Sequence, residues 1–227
     1  MSGCLDAGLV EKRIGPYLNE GKAYASQCLN GTRWQGNAFL IVLDASLTSM
    51  GFSYFQFVQP RVTRLMLTSA AGELTLRNAT SLVARKSWFC PSERCKAILL
   101  RAAELFSDSN PALELQKLRD WAQIADPIER KDEFSRTKGL GTFSIQYLRG
   151  QVGLDVPIPD RLVKRVLTAA GWQGKGTIDL MNGIREAARA LGIRNLDLVW
   201  SIWLSEDLKR KRTLTRSWLP TAHPWSL

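Results

Sequence analysis

The sequence is poor in the residues that most often carry metal chemistry. It has one histidine, His223, and four cysteines, at 4, 28, 90 and 95. The pair in Cys90-Pro-Ser-Glu-Arg-Cys95 has no second Cys or His pair with which to close a tetrahedral site, so no metal centre is expected. The four cysteines read as reduced thiols of an intracellular chain. Long apolar runs are also missing. The longest, 39–47, is interrupted by Asp44 and is far too short to span a bilayer, so no membrane partner is expected. Met1–Val10 lacks the basic start and apolar run of a secretory signal. There is no internal repeat and no low-complexity linker.

Acidic residues are in short supply. Thirty-one Lys and Arg face 21 Asp and Glu, for a net charge of +10. A surplus of that size points to a polyanionic partner, nucleic acid ahead of membrane. Hydrophobic residues make up 45% of the 227, which allows a real core and argues against global disorder.

Most of the chain reads as helix joined by short loops. Residues 38–57 are apolar enough for one buried helix, bent near Gly51. Residues 61–78 leave two readings open, a hairpin about Ala71-Gly72 or two short helical turns. A helix over 92–106 has Ser92 as its N-cap, and a second covers 113–124. Segments 128–136 and 142–149 flank a Gly-Leu-Gly turn. Residues 160–170 form a helix stopped by Gly171, and 178–191 and 196–208 complete the set. The basic tail, 209–227, contains Trp218 and Trp225.

The stretch TKGLGTFSIQYLRGQVGLDVPIPDRLVKRVL, 137–167, carries the functional signal. Gly139 and Gly141 tolerate conformations that other residues avoid. Gly141 leads straight into a helix, whose free N–H groups make a phosphate seat. Leu140, between them, is expected to point inward and pin the flanking helices. In outline this is a helix-hairpin-helix, with Lys138 and Arg149 beside it. An ordinary helix–helix turn is the plainer alternative. Asp160 opens a basic helix, where a carboxylate satisfies orphan N–H groups. Asp155 reads as a solvated turn residue. Asp44 is conspicuous as an acid inside an apolar helix. Its plainer reading is a carboxylate hydrogen-bonded within the fold. Trp88, Trp172, Trp200 and Trp203 read as core residues, and His223 as a surface residue.

The order Gly139-Leu140-Gly141-Thr142-Phe143-Ser144, helix, proline-containing loop, then Asp160-Arg161-Leu162-Val163-Lys164-Arg165-Val166 resembles the helix-hairpin-helix (HhH-GPD) DNA glycosylase superfamily. In that family a Leu-Pro-Gly-Val/Ile-Gly hairpin is followed by a helix headed by a catalytic Asp. Gly139, Leu140 and Gly141 match the hairpin, with Lys138 in place of the proline. Asp160, Val163, Arg165 and Val166 match the aspartate helix, at close to the family's usual separation. Arg94, Lys96 and Ala97, Leu196-Asp197 and Trp200, and the 39–50 helix extend the likeness over most of 35–205.

The resemblance implies a mainly α fold of two helical lobes with the active-site cleft between them. One lobe would join 35–60 to 170–208. The other would be a six-helix lobe, 80–168, with the hairpin at 128–150. It implies a monomeric monofunctional glycosylase that flips a damaged, mismatched or modified base out of double-stranded DNA and hydrolyses its N-glycosidic bond with Asp160. Asp44, near the position of an acid that protonates the leaving base in some members, is a second candidate. Lys138, Gly139, Leu140, Gly141, Thr142 and Phe143 would contact DNA. Thr48, Ser49 and Met50 would form the lesion pocket or the wedge. Phe143 stands where bifunctional members carry a Schiff-base lysine, so lyase chemistry from that position is not expected. The cysteine loop that holds an iron–sulfur cluster in many members is absent, so no cofactor is expected beyond a monovalent cation at the hairpin. The implied location is the nucleoid-containing cytoplasm of a prokaryote or the nucleus of a eukaryote. Two alternatives stand beside this reading: a non-catalytic helix-hairpin-helix DNA-binding protein, and a bifunctional enzyme using Lys138 or Lys164.

Overall fold

A computed structural model describes residues 5–70 and 72–214, without the side chains of Ser87 and of 207–214. The described chain is mainly helical and contains no strand. Trp218, His223 and Trp225 of the tail, Cys4, and the Ala71 half of the hairpin reading lie outside the described residues.

The chain begins with α1 (Ala7–Ile14) and α2 (Leu18–Leu29), to which the sequence reading assigned no structure. A short 3₁₀ turn, Arg33–Gly36, leads to α3 (Ala38–Thr48). Asn37 caps α3 by accepting from Leu40 N at 3.0 Å. Every residue of α3 is buried, so the helix needs neighbours on all sides. It finds them in α4 (Gln59–Thr68), α6 (Glu93–Phe106), α7 (Pro111–Ile124) and α8 (Thr142–Gln151). α5 (Ala79–Arg85) packs on α6. α9 (Arg161–Ala169), α10 (Thr177–Ala190) and α11 (Asn195–Leu214) follow. α11 is held by α1, α2, α9 and α10. At Gly21 of α2 an added Cβ would lie 2.1 Å from Ser201 Oγ, so only glycine lets these two helices approach so closely.

Several boundaries follow the sequence. Ser92 caps α6 by accepting from Cys95 N at 3.2 Å, and Asp160 caps α9 by accepting from Leu162 N at 2.9 Å. α9 buries Val163, Val166 and Leu167 and turns Arg161, Lys164 and Arg165 outward.

Other expectations are corrected. The 38–57 helix is broken, not bent: α3 ends at Thr48, Gly51 takes φ +78°, and a π turn, Tyr54–Val58, starts afresh into α4. Residues 61–68 are helical and 72–78 are turns, so no hairpin forms there. No helix forms over 128–136. Asp126 Oδ1 takes the N–H groups of Ile128 and Glu129, and Asp132 Oδ1 takes that of Ser135. These local bonds make two separate turns, divided where Arg130 adopts φ +52°. The Gly-Leu-Gly hairpin therefore has a helix on one side only.

The expected lobe grouping also changes. α3 packs chiefly on α6, α7 and α8, elements of the 80–168 segment. That segment holds five α-helices, α5 to α9, rather than six. The part after Gly51 turns toward the 170–208 segment, through Tyr54 and Phe55 against Trp200. Asp155 is not simply solvated. Its carboxylate accepts from Asn195 N and Leu196 N at 3.2 and 3.0 Å and caps α11 from the preceding loop. Trp172 and Trp200 are core residues as expected, whereas Trp88 is exposed beneath the Arg64 guanidinium. Cys28, Cys90 and Cys95 are free thiols.

Candidate functional site

The Gly51 break opens a concavity. A cavity of about 380 Å³ lies between residues 48–55, the start of α8, the head of α9 and α11. Its lining brings together the consecutive Thr48, Ser49 and Met50 with Phe143 and Asp160, from three distant parts of the sequence. Phe52, Tyr54, Phe55, Arg161, Trp203 and Glu206 join them.

Asp160 sits at the cavity's edge as the cap of α9. Its Oδ2 accepts from Leu162 N at 2.9 Å and from Trp203 Nε1 at 3.2 Å. Burial pushes its carboxyl above the ordinary range, and the cap N–H groups, the indole and the Arg161 charge oppose that rise. The cap bonds fix the direction of the side chain, and the cavity gives it a space to act on.

The walls are aromatic. Phe143 lies parallel to Tyr147, with centroids 6.1 Å apart, and 6.4 Å from Trp203. Tyr54 packs 5.7 Å from Trp203. At the mouth Phe52 is 39% exposed and rests on Phe57 at 4.0 Å, over which the Arg61 guanidinium lies at 4.2 Å. Thr48 is buried, and Met50 is half-buried with its sulfur accepting from Ser92 Oγ at 2.8 Å. The most exposed apolar side chain at the mouth is therefore Phe52, not Met50.

Asp44 lies behind this wall and does not line the cavity. It is completely buried. Its Oδ2 accepts from Trp34 Nε1 at 2.6 Å and Tyr54 OH at 3.1 Å, and its Oδ1 from Tyr147 OH at 2.8 Å and Thr48 Oγ1 at 3.2 Å. The buried Arg33 guanidinium stands 3.8 Å away and donates to Tyr54 OH. Burial raises the Asp44 carboxyl, with Arg33 and the donated bonds pulling it back. Trp34 and Gln35 both adopt left-handed φ, +50° and +58°, a strain of about 1–3 kcal/mol each that the Trp34–Asp44 bond helps to hold. The geometry makes Asp44 the hub that fixes Tyr54, Tyr147 and Thr48.

Glu206 is the acid that the sequence reading missed. It is 3% exposed and lines the cavity from α11. Arg13 of α1 reaches its Oε1, with Nε at 2.9 Å, and Arg165 of α9 reaches Oε2. Burial works to raise its pKa, but the two guanidinium groups outweigh it and hold the carboxyl below its ordinary range.

The hairpin forms a separate basic surface. Arg94, Arg130, Lys138, Gly139, Leu140 and Gly141 line a shallow depression. Leu140 is buried, as expected for a residue that pins the turn. Gly139 holds φ +109°. Arg94 donates to Gly139 O through Nε at 3.2 Å and Nη2 at 2.6 Å. The Arg94 guanidinium thus ties α6 to the hairpin carbonyl of Gly139. Thr142 Oγ1 donates to Pro127 O at 2.9 Å, which ties the preceding turns to the head of α8.

No family model, curated protein or solved structure matches this chain significantly. The functional argument therefore rests on the site. Among the described residues no group of three or more His, Cys, Asp or Glu could hold a metal ion, and no helix is long and apolar enough to cross a membrane.

Proposed function

We propose that this protein is a monofunctional DNA glycosylase that hydrolyses the N-glycosidic bond of an altered base flipped out of double-stranded DNA. One observation carries the reading. A carboxylate fixed at a helix N-terminus, Asp160, faces an aromatic-walled cavity of about 380 Å³, large enough for one nucleobase. Phe143, next to the hairpin, and Asp160, at the head of the aspartate helix, both line that cavity.

The chemistry follows from charge. As the glycosidic bond breaks, the sugar gains oxocarbenium character, which a fixed carboxylate stabilises. The same carboxylate orients the attacking water and takes up its proton. The aromatic faces of Phe143, Tyr54 and Trp203 supply stacking surface for the extruded base, and Phe52 at the mouth is placed to fill the gap that the base leaves. Arg94, Arg130, Lys138 and the N–H groups at the head of α8 supply phosphate contacts. Among the described residues no lysine lines the cavity, which favours hydrolysis over imine chemistry.

The test is a panel of duplexes, each with one altered base, assayed for abasic sites with and without alkali. At least one should give alkali-labile sites with the strand otherwise intact, and borohydride should trap no adduct. Asp160→Asn, which caps almost as well, should keep DNA affinity and lose excision by about 10²–10³-fold. Undiminished excision by that variant would reduce Asp160 to a cap and remove the basis of the proposal.

A further inference from the structure

Four side-chain donors in the cavity lining, those of Thr48, Ser49, Tyr54 and Trp203, are already committed to protein acceptors. Thr48 Oγ1 donates to Asp44 O at 2.8 Å and lies 3.2 Å from Asp44 Oδ1. Ser49 Oγ donates to Ser46 O at 2.7 Å. Tyr54 OH donates to Asp44, and Trp203 Nε1 donates to Asp160. What the three hydroxyl groups still offer a ligand is lone pairs, and the indole, a donor only, has nothing further to give. Two carboxylates, Asp160 and Glu206, add further acceptors to the same lining. The arginines that neutralise Glu206, Arg13 and Arg165, lie outside the lining. The one lining cation, Arg161, is exposed at the mouth, with Nη2 3.6 Å from where a Cβ on Gly51 would sit.

We propose that the cavity selects a nucleobase that presents hydrogen-bond donors, one carrying an exocyclic amino group of the adenine or cytosine type, and rejects the corresponding oxo base. The inference rests on the glycosylase reading and adds its substrate class. A carbonyl oxygen placed against these acceptors pairs with none of them, loses its bonds to water and meets like partial charge. An amino group at the same place donates to a carboxylate and a hydroxyl while its ring stacks on the aromatic walls. The discrimination comes chiefly from the rejected base, as in sites built to pair a polar group.

The experiment compares binding, so it needs no excision. Duplexes carry a hydrolysis-resistant 2′-fluoroarabino nucleotide bearing adenine, hypoxanthine, cytosine or uracil. Each stands opposite an abasic-site analogue, so that the cost of extrusion is similar. The wild-type protein is titrated against each by fluorescence anisotropy at fixed salt. Within each size pair the amino base should bind about tenfold tighter than the oxo base, the worth of one satisfied buried bond against an orphaned one. Glu206→Gln, which introduces a donor, should narrow that ratio without abolishing binding. Equal binding of amino and oxo bases, or preference for the oxo base, above the affinity for an unmodified duplex would overturn this inference and leave the glycosylase reading standing. No preference for any of the four over the unmodified duplex would also overturn this inference, and the glycosylase reading would then be decided separately by the alkali assay on the panel of altered bases.

Discussion

Replacing Asp44 tests whether a buried acid next to the site is chemistry or architecture. Its carboxylate accepts four bonds, from Trp34, Tyr54, Tyr147 and Thr48, and stands 3.8 Å from the buried Arg33. Asp44→Ala leaves Arg33 as an uncompensated buried charge, which alone costs about 3–5 kcal/mol. The orphaned Trp34 and Tyr147 donors add to that, about 1–3 kcal/mol each. Thr48 keeps its bond to Asp44 O and adds little, whereas the Tyr54 hydroxyl keeps the bond it accepts from Arg33 but loses the acceptor of its own proton. A loss of at least about 5 kcal/mol is expected, a large part of a total stability of roughly 5–15 kcal/mol. Asp44→Asn keeps volume and one acceptor and should lose about 3 kcal/mol, because the charge is still missing. Urea denaturation followed by tryptophan fluorescence measures both. The decisive variant removes both charges. Arg33→Met combined with Asp44→Asn should be more stable than Asp44→Asn alone by more than 1 kcal/mol, since no buried charge is left unpaired. Asp44→Asn with unchanged stability and abolished excision would refute the structural role and restore Asp44 as a catalytic acid.

Gly139→Ala places a Cβ 2.5 Å from Arg94 Cγ on a backbone at φ +109°, so it should cost about 1–3 kcal/mol and weaken duplex binding severalfold. Gly141→Ala, with nothing within 4 Å of its Cβ, should cost less than about 1 kcal/mol as a poorer N-cap of α8 and weaken binding less than Gly139→Ala in the same anisotropy and denaturation measurements. Protonating Asp160 removes the charge that stabilises the sugar cation. Because burial raises its carboxyl, the acid limb of single-turnover excision should lie above the ordinary carboxylate range near 3.8, and an acid limb below that value would contradict the assignment.

The all-helical fold was legible because its signals are local. Ser92, Asp160 and Gly171 mark ends that depend on side-chain caps or a positive φ within a few residues, and the structure ends its helices at those points. The failures are equally specific. Segment 128–136 has helical composition, but Asp126 and Asp132 bond to their own following N–H groups and stop helix propagation after single turns. The uniform hydrophobicity of 38–57 hid the Gly51 break, because an apolar run gives no periodicity to interrupt. The lobe grouping failed for a related reason: a helix apolar on every face does not say which neighbours it will take.

The candidate site divides along the same line between local and distant. Asp160 and Phe143 were visible because their roles are tied to a helix head and a hairpin written in one continuous stretch. Glu206 and Trp203 had no such signal, since both lie on α11 and reach the cavity only when that helix packs on α9. The partners of Glu206 make the point sharply. Arg13 is at the other end of the chain, and Arg165 is on α9. Without those two guanidinium groups Glu206 would be an unpaired buried carboxylate, which a fold does not tolerate. The same pairing leaves the carboxylate in the lining while its counter-charges stand behind it. The acceptor character of the cavity is therefore a tertiary property, produced by contacts among α1, α9 and α11.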